Sequence, residues 1–331
     1  MKKRLFNVVD YLIKEDEKRV IHNFRPKVYY NAFGAYPPAL RISSGDIVVT
    51  STIDNIGRDA SDEQVAKPGN PLTGPFYVEG AEPNDVLAVY LEKLWPNRRL
   101  GRSSSVLSPN VVDPEYVMNL PPFKHEMLAE WEIDLEKGTA TLIKPEVLAG
   151  ELILPINPML GCIGVAPPKG QAISSATSGK YGGNMDYRGF VSGVTVYLPI
   201  FAEGALFFIG DGHAVQGDGE IIGTGIEVSF DVRFKVKVIK DKSIEWPRAE
   251  NKDYIMTVGN ARPLDQALQH ATTEMLRWLQ EDYGLGDEAA HILLGECVEY
   301  DVGNVFDPAY TIVCKIKKKW IEIMRKDQAA P

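Results

Sequence analysis

A mainly β fold with a small helical hairpin near the C-terminus is what this chain predicts. Three observations carry that reading. Short apolar or alternating runs bounded by glycine, proline and asparagine recur through residues 40–230, a single late segment carries clear helical spacing, and strands and helices do not alternate as they would in a doubly wound sheet.

Taken in order, Leu40-Arg41-Ile42, the turn Ser44-Gly45-Asp46 and Ile47-Val48-Val49-Thr50 read as strand, turn, strand. A polar loop with Asp54, Asp59, Asp62 and Glu63 follows, then the stiff stretch Pro68-Gly69-Asn70-Pro71-Leu72-Thr73-Gly74-Pro75. From a Pro83-Asn84-Asp85 turn, another strand runs to Glu92, and Trp95-Pro96 ends a strand. Residues 96–130 carry little pattern. Trp131-Glu132-Ile133-Asp134-Leu135 and Thr139-Ala140-Thr141-Leu142-Ile143 alternate on either side of Glu136-Lys137-Gly138 and make a hairpin. Buried strands are expected at 195–200 and 205–209. From Pro263, the residues Leu264, Ala267, Leu268, Ala271, Met275, Trp278 and Leu279 recur with helical spacing until Gly284 and Gly286. Asp287 can cap a second, shorter helix, and 310–316 returns to strand.

The chain has 331 residues, 44% hydrophobic and 24% charged, which is ordinary for a globular enzyme and enough for one large or two moderate cores. We expect one catalytic unit over 1–331, with 1–157 and 158–331 as possible lobes. A net charge of −9 argues against a nucleic-acid partner. Basic residues are dense only at Lys2-Lys3-Arg4 and over 315–325. Neither a secretion signal nor a membrane span is legible, so a cytoplasmic protein with no membrane partner is expected. Three widely spaced cysteines, Cys162, Cys297 and Cys314, exclude a fully paired disulfide framework and match no zinc-knuckle spacing.

The segment Gly210-Asp211-Gly212-His213-Ala214-Val215-Gln216-Gly217-Asp218-Gly219-Glu220 stands apart, with three carboxylates, an imidazole and an amide among four glycines. Side chains two apart on a strand share a face, so Asp211 and His213 continue the face of Phe207 and Ile209. Two such groups side by side suit a divalent metal or a proton-transfer pair. Gly217-Asp218-Gly219 also reads as a tight hairpin turn into a strand over 221–230, and Asp218-Gly219 alone would be an ordinary turn. So much polar chemistry beside an apolar strand costs stability unless it is used, which favours an active-site rim.

Several blocks resemble the acetamidase/formamidase family, in that family's order. They are Leu72-Thr73-Gly74-Pro75, Val78-Glu79-Gly80-Ala81-Glu82-Pro83, Gly161-Cys162-Ile163-Gly164-Val165-Ala166-Pro167, Gly182-Gly183-Asn184-Met185-Asp186, Tyr197-Leu198-Pro199, Gly204-Ala205-Leu206-Phe207 and the 210–220 cluster. The resemblance implies a β-sandwich (jelly-roll-like) with a barrel-like part, hydrolysis of short aliphatic amides to a carboxylate and ammonia, a divalent metal in the site, and a homodimer. Residues 54–67, 96–130 and those after Val258 depart from the family pattern, and Asn70 stands where many members have a histidine.

Amide hydrolysis needs an activated nucleophile, a polarised carbonyl and a proton for the leaving ammonia. On the resemblance, the metal ligands expected are Asp211 and His213, with Asp54 as third ligand. A water activated by the ion is the nucleophile, and the catalytic carboxylates are Asp186, Asp218 and Glu220. Asn184 and Gln216 would bind the substrate amide, and backbone N–H groups around Gly161 and Cys162 would form an oxyanion site. A histidine and carboxylate set suits zinc; an all-carboxylate site suits calcium. Other readings stand beside these. Asn184 and Asp186 can simply stabilise a turn, Glu79 and Glu82 can pair with basic side chains, and His22, His125, His270 and His291 lie outside the family blocks. Cys162 can be a nucleophile or a small buried apolar residue. The scaffold could also act on another C–N bond or bind a small molecule without turnover.

Overall fold

The computed structural model describes residues 19–122 and 128–328. His125 and Lys2-Lys3-Arg4 lie outside the described residues. Two sheets dominate. A nine-stranded sheet runs, in spatial order, Ile21–Asn23, Ile47–Ser51, Phe230–Ile239, Val86–Pro96, Thr195–Pro199, Arg248–Glu250, Tyr254–Ala261, Tyr310–Lys317 and Glu299–Asn304. A six-stranded sheet runs Ser178–Gly179, Gly182–Asn184, Met159–Gly164, Phe207–His213, Thr73–Val78 and Leu40–Ile42. Each sheet draws strands from both sides of residue 157.

These two sheets pack as a sandwich because each turns an aromatic face inward. Phe76 and Phe207 belong to the six-stranded sheet and Phe234 to the nine-stranded one; Phe234 lies 5.2 Å from Phe76 and 5.4 Å from Phe207, ring centre to ring centre, edge to face. All three are fully buried. The hairpin of Ala129–Asp134 and Thr139–Lys144 forms where its alternation predicts and extends into a four-stranded sheet. Among the described residues every sheet ends in edge strands, so the barrel-like part is not a closed barrel.

The opposite face of the nine-stranded sheet carries the helix Leu264–Glu281. Ala267, Ala271, Met275, Trp278 and Leu279 pack on Val86, Ala88, Ile312, Cys314 and Ile316, whereas Leu264 and Leu268 remain exposed. Arg248, itself buried, ties the helix down through Glu274 at 2.6 Å and Asp282 at 3.1 Å. The second helix, Asp287–Cys297, starts one residue earlier than a capping Asp287 would allow: Gly286 is its N-cap, and Asp287 accepts instead from Gln280 Nε2 at 2.7 Å. The basic run at 315–325 holds a further helix, Lys318–Gln328, which Ile321 seats against the same core.

One connection goes beyond the sequence reading and one departs from it. Leu40–Ile42 and Ile47–Ser51 both form, but the first pairs in parallel with Thr73–Val78 and the second joins the other sheet, so they are not a hairpin. Nor does the chain turn back at Gly217-Asp218-Gly219. It makes a wider excursion over 214–226, closed by backbone bonds between Ala214 and Ile226 and between Ile226 and Val215, each 2.8 Å. The strand that follows, Phe230–Ile239, belongs to the nine-stranded sheet. This wider loop brings Glu227 opposite His213, joined by a bridge.

Candidate active site

Strand Phe207–His213 is buried along its whole length and ends in the polar group. Asp211 breaks the strand's regular alternation by adopting a left-handed backbone, φ +58°, and Asp186 and Glu220 share that strained region at +42° and +48°. Such backbone costs free energy and gathers where side chains must be aimed. Asp186, Asp211, His213, Glu220 and Glu227 are each at most 6% exposed. Opposite Asp211 on the neighbouring strand stands Gly161, where a Cβ would sit 2.1 Å from Asp186 Oδ1 and 2.6 Å from Asp211 Oδ2. The absence of a side chain at 161 is what lets both carboxylates in.

The amides around this group are spent on holding it. Gln216 Nε2 donates to the backbone oxygens of Asp186 at 2.6 Å and Gly303 at 3.2 Å, so its Oε1 faces His213 Nδ1 at 2.8 Å. An oxygen there accepts the Nδ1 proton, and in the neutral imidazole Nε2 then presents a lone pair. Asn184 Nδ2 donates to Asp186 Oδ2 and to Asp307 Oδ2, both at 2.6 Å, while its Oδ1 accepts from the Cys162 thiol at 2.8 Å. Neither amide keeps a hydrogen for a substrate. Gly161 and Cys162, expected to form an oxyanion site, lie in a strand paired on both edges, with Cys162 opposite Gly210 on one side and Asn184 on the other.

What stays unpartnered faces inward. Asp186 Oδ1, Asp211 Oδ1, His213 Nε2 and Glu227 Oε2 are buried without a hydrogen bond. Glu227 Oε1 approaches His213 Nε2 to 2.8 Å without hydrogen-bond alignment, and Asp211 Oδ1 to 3.6 Å. Two triplets, Asp211 with His213 and Glu227, and Asp186 with His213 and Glu220, place their ligand atoms within 4.8 Å of one another. Orphaned buried oxygens and an imidazole nitrogen converging in this way suit a divalent cation.

Electrostatics point the same way. Burial above all pushes Asp186 and Glu220 well above the ordinary carboxylate range, with neighbouring carboxylates adding to it. Glu227 is lifted to about 7, chiefly by burial and against the pull of His213. For His213 burial works downward, but Glu227 and Asp211 outweigh it and raise the imidazole well above its usual value. Too much negative charge is gathered here for its one imidazole, a surplus that a dication offsets.

Two expected residues stand elsewhere. Asp54, expected as third metal ligand, gives Oδ2 to Arg98 at 2.6 Å and Oδ1 to the backbone N–H of Arg58 at 2.7 Å, and belongs to neither triplet. It is Glu227 that forms a triplet with Asp211 and His213. Asp218, expected among the catalytic carboxylates, is half exposed and pairs with Arg188 on the surface, because the tight turn of residues 218–220 sends it outward while burying Glu220. Glu79 and Glu82 pair with Arg41 and Lys240. The Cys162 thiol is pushed well above its ordinary value by burial and by the carboxylates around it, which keeps it protonated.

Residues 125–315 match the model of the acetamidase/formamidase family. The chain belongs to that family. The family is named for acetamidases and formamidases. Among solved structures, an acetamidase from Yersinia enterocolitica is 32% identical, with a TM-score of 0.78 over 92% of this chain and 94% of that one. An acetamidase from Bacillus halodurans is 28% identical, with a TM-score of 0.77 over 92% and 99%. A Schizosaccharomyces pombe protein provisionally named a formamidase is 27% identical over 217 residues, 51% of this chain, and the match spans about half, 52%, of that relative's length.

Glu227, Asn304 and Asp307 were not legible in advance. Glu227 sits in a run that reads as strand, where an acid between Ile226 and Val228 passes for a solvent-facing position. Gly223-Thr224-Gly225 just before it was the available signal. Asn304 and Asp307 lie in Gly303-Asn304-Val305-Phe306-Asp307-Pro308, which reads as a turn.

Proposed function

We propose that the protein hydrolyses short aliphatic amides of the formamide and acetamide type, using a divalent metal held by His213 Nε2 with Asp211, Glu227 and Asp186. The observation that carries this is a pair of buried triplets sharing His213, Asp211 with Glu227 and Asp186 with Glu220, in which Asp186, Asp211, His213 and Glu227 each keep an unpartnered atom. One imidazole with carboxylates favours zinc, with calcium as the alternative that an oxygen-dominated set allows. When bound, the cation would supply a polarised water, nucleophilic near neutral pH, and a Lewis acid for the amide oxygen. Gln216 holds the imidazole in the tautomer that frees Nε2. Glu220, buried beside Asp186 and His213, is placed to take a proton from the attacking water and return it to departing ammonia. Family members are named for small amides, and a small pocket separates neighbouring alkyl amides by only about 1–3 kcal/mol per methylene, so several short amides should be accepted.

The same reading takes the chain as one catalytic unit in the cytoplasm, where Cys162, Cys297 and Cys314 would stay reduced. No described helix is long and apolar enough to cross a membrane. A homodimer is part of this reading too, supported by the edge strand Ile153–Pro155, beside which Val147 and Ile153 are exposed.

Ammonia release from formamide, acetamide and propionamide tests the reading, with protein as purified, after chelation, and after chelation with zinc restored. Activity that vanishes and returns supports the metal-dependent reaction. Turnover untouched by thorough chelation refutes it, and folded protein that turns over no amide would shift the reading to another C–N substrate or to binding alone.

A further inference from the structure

Strand Glu299–Asn304 is the far edge of the nine-stranded sheet, yet its end reaches the site. Its pairing with Tyr310–Lys317 slips by one residue between Val302 and Asn304. A bulge of this kind re-aims the side chain next to it. Gly303 allows the close approach: a Cβ there would lie 3.0 Å from the backbone oxygen of Met185 and 2.9 Å from Thr311 Cγ2. The loop therefore rests directly on the segment that carries Asp186.

Asn304 is fully buried and fully engaged. Its Oδ1 accepts from the backbone N–H groups of Phe306 and Asp307, both at 2.9 Å. Its Nδ2 donates to Asp186 Oδ2 at 2.9 Å and Asp307 Oδ2 at 2.7 Å. Asn184 donates to the same two oxygens from the other side, with its own oxygen fixed by Cys162. Each amide group offers one hydrogen to each carboxylate, and each is locked against flipping by what its oxygen accepts. Asp186 is thus gripped by Oδ2 alone, leaving Oδ1 as its buried oxygen without a partner.

We propose that Asn304 and Asp307 are positioning residues for the cation, holding Asp186 so that Oδ1 turns toward His213 and Glu220. Metal affinity is then set in part by a C-terminal loop that supplies no ligand. Partners of ligands commonly change affinity by about 10–100-fold when removed. The inference rests on the metal-dependent reading above.

The test is zinc titration by calorimetry together with the Co(II) absorption spectrum, on the full chain and three variants. Asn304→Asp replaces both donors with an acceptor facing two carboxylates; zinc binding should weaken about 10–100-fold, with an altered Co(II) spectrum. Asn304→Ala removes the donors without adding charge and should shift both readouts in the same direction, which covers a failure of the first variant to fold. Asp307→Asn keeps an oxygen that can accept both amide hydrogens and should retain the parent spectrum. Folded Asn304 variants with the parent's affinity and spectrum would overturn the inference while leaving the metal-dependent reading intact. A parent protein that binds neither ion would bring down both.

Discussion

Gly161→Ala is the sharpest test of the site's geometry, because one methyl group meets two carboxylates and nothing else changes. Gly161 is outside the left-handed region, so alanine adds no backbone strain there. The added Cβ would lie 2.1 Å from Asp186 Oδ1 and 2.6 Å from Asp211 Oδ2, where ordinary contact begins at 3.4 Å. Asp186 Oδ1 must therefore retreat by about 1.3 Å and Asp211 Oδ2 by about 0.8 Å, several times the roughly 0.2 Å within which ligand distances are held. Neither can move freely: Asp186 is gripped by two amides, and Asp211 Oδ2 faces Asn70 Nδ2 at 3.3 Å. Overpacking of this kind costs about 1–3 kcal/mol of stability, a loss that a protein with a large core survives. Zinc affinity should fall by at least about 10–100-fold, as it does when ligand orientation is lost. Calorimetric zinc titration of the folded variant measures this, with thermal melting of the metal-free form as the control for folding. A folded Gly161→Ala that binds zinc like the parent would refute the claim that the empty Cβ position is reserved for the two carboxylates.

Three further outcomes follow from the same geometry. Burial raises Glu227 from 4.5 to about 7, so in the metal-free protein the folded state holds a proton that the unfolded state releases above pH 4.5; stability should fall as pH rises from 5 to 7.5, by on the order of 3 kcal/mol from this group. Urea midpoints of chelated protein across that range test it, and a flat or rising midpoint contradicts it, while saturating zinc should reverse the trend. Asp54→Ala leaves the buried Arg98 without its nearest carboxylate and should cost about 3–5 kcal/mol of stability with zinc stoichiometry unchanged; loss of the zinc would return Asp54 to the ligand set. Cys162→Ser keeps a donor for Asn184 Oδ1 and should retain activity within a few-fold, with the parent enzyme resisting thiol alkylation; a loss beyond about a hundredfold, near 2.7 kcal/mol, would give the thiol a chemical role.

How far the sequence reaches is clearest where neighbouring residues part company. Alternation and turn residues mark strands well, because they report local backbone and one buried face; the hairpin around Glu136-Lys137-Gly138 and the buried run before Asp211 form as that pattern implies. Which sheet a strand joins is another matter, since Leu40–Ile42 and Ile47–Ser51 share a turn but not a sheet. The site follows the same division. Asp218 and Glu220 are two residues apart in one glycine-rich segment, yet the turn exposes the first and buries the second. Strand periodicity would put both on one face, and the left-handed backbone at Gly219 and Glu220 suspends that rule. Asp54 stands away from the site and Glu227, of which nothing was expected, stands in it for a tertiary reason: Arg98 claims the one, and the return of the 214–226 excursion delivers the other to His213. The amides Asn184 and Gln216 carry the same lesson for chemistry. Their residue types suit an amide substrate, but every hydrogen they own is already given to Asp186, Asp307 or a backbone oxygen. A side chain's capacity to bind is legible from its formula; whether that capacity is free depends on neighbours as distant as residue 303, and those are set only when the two sheets close.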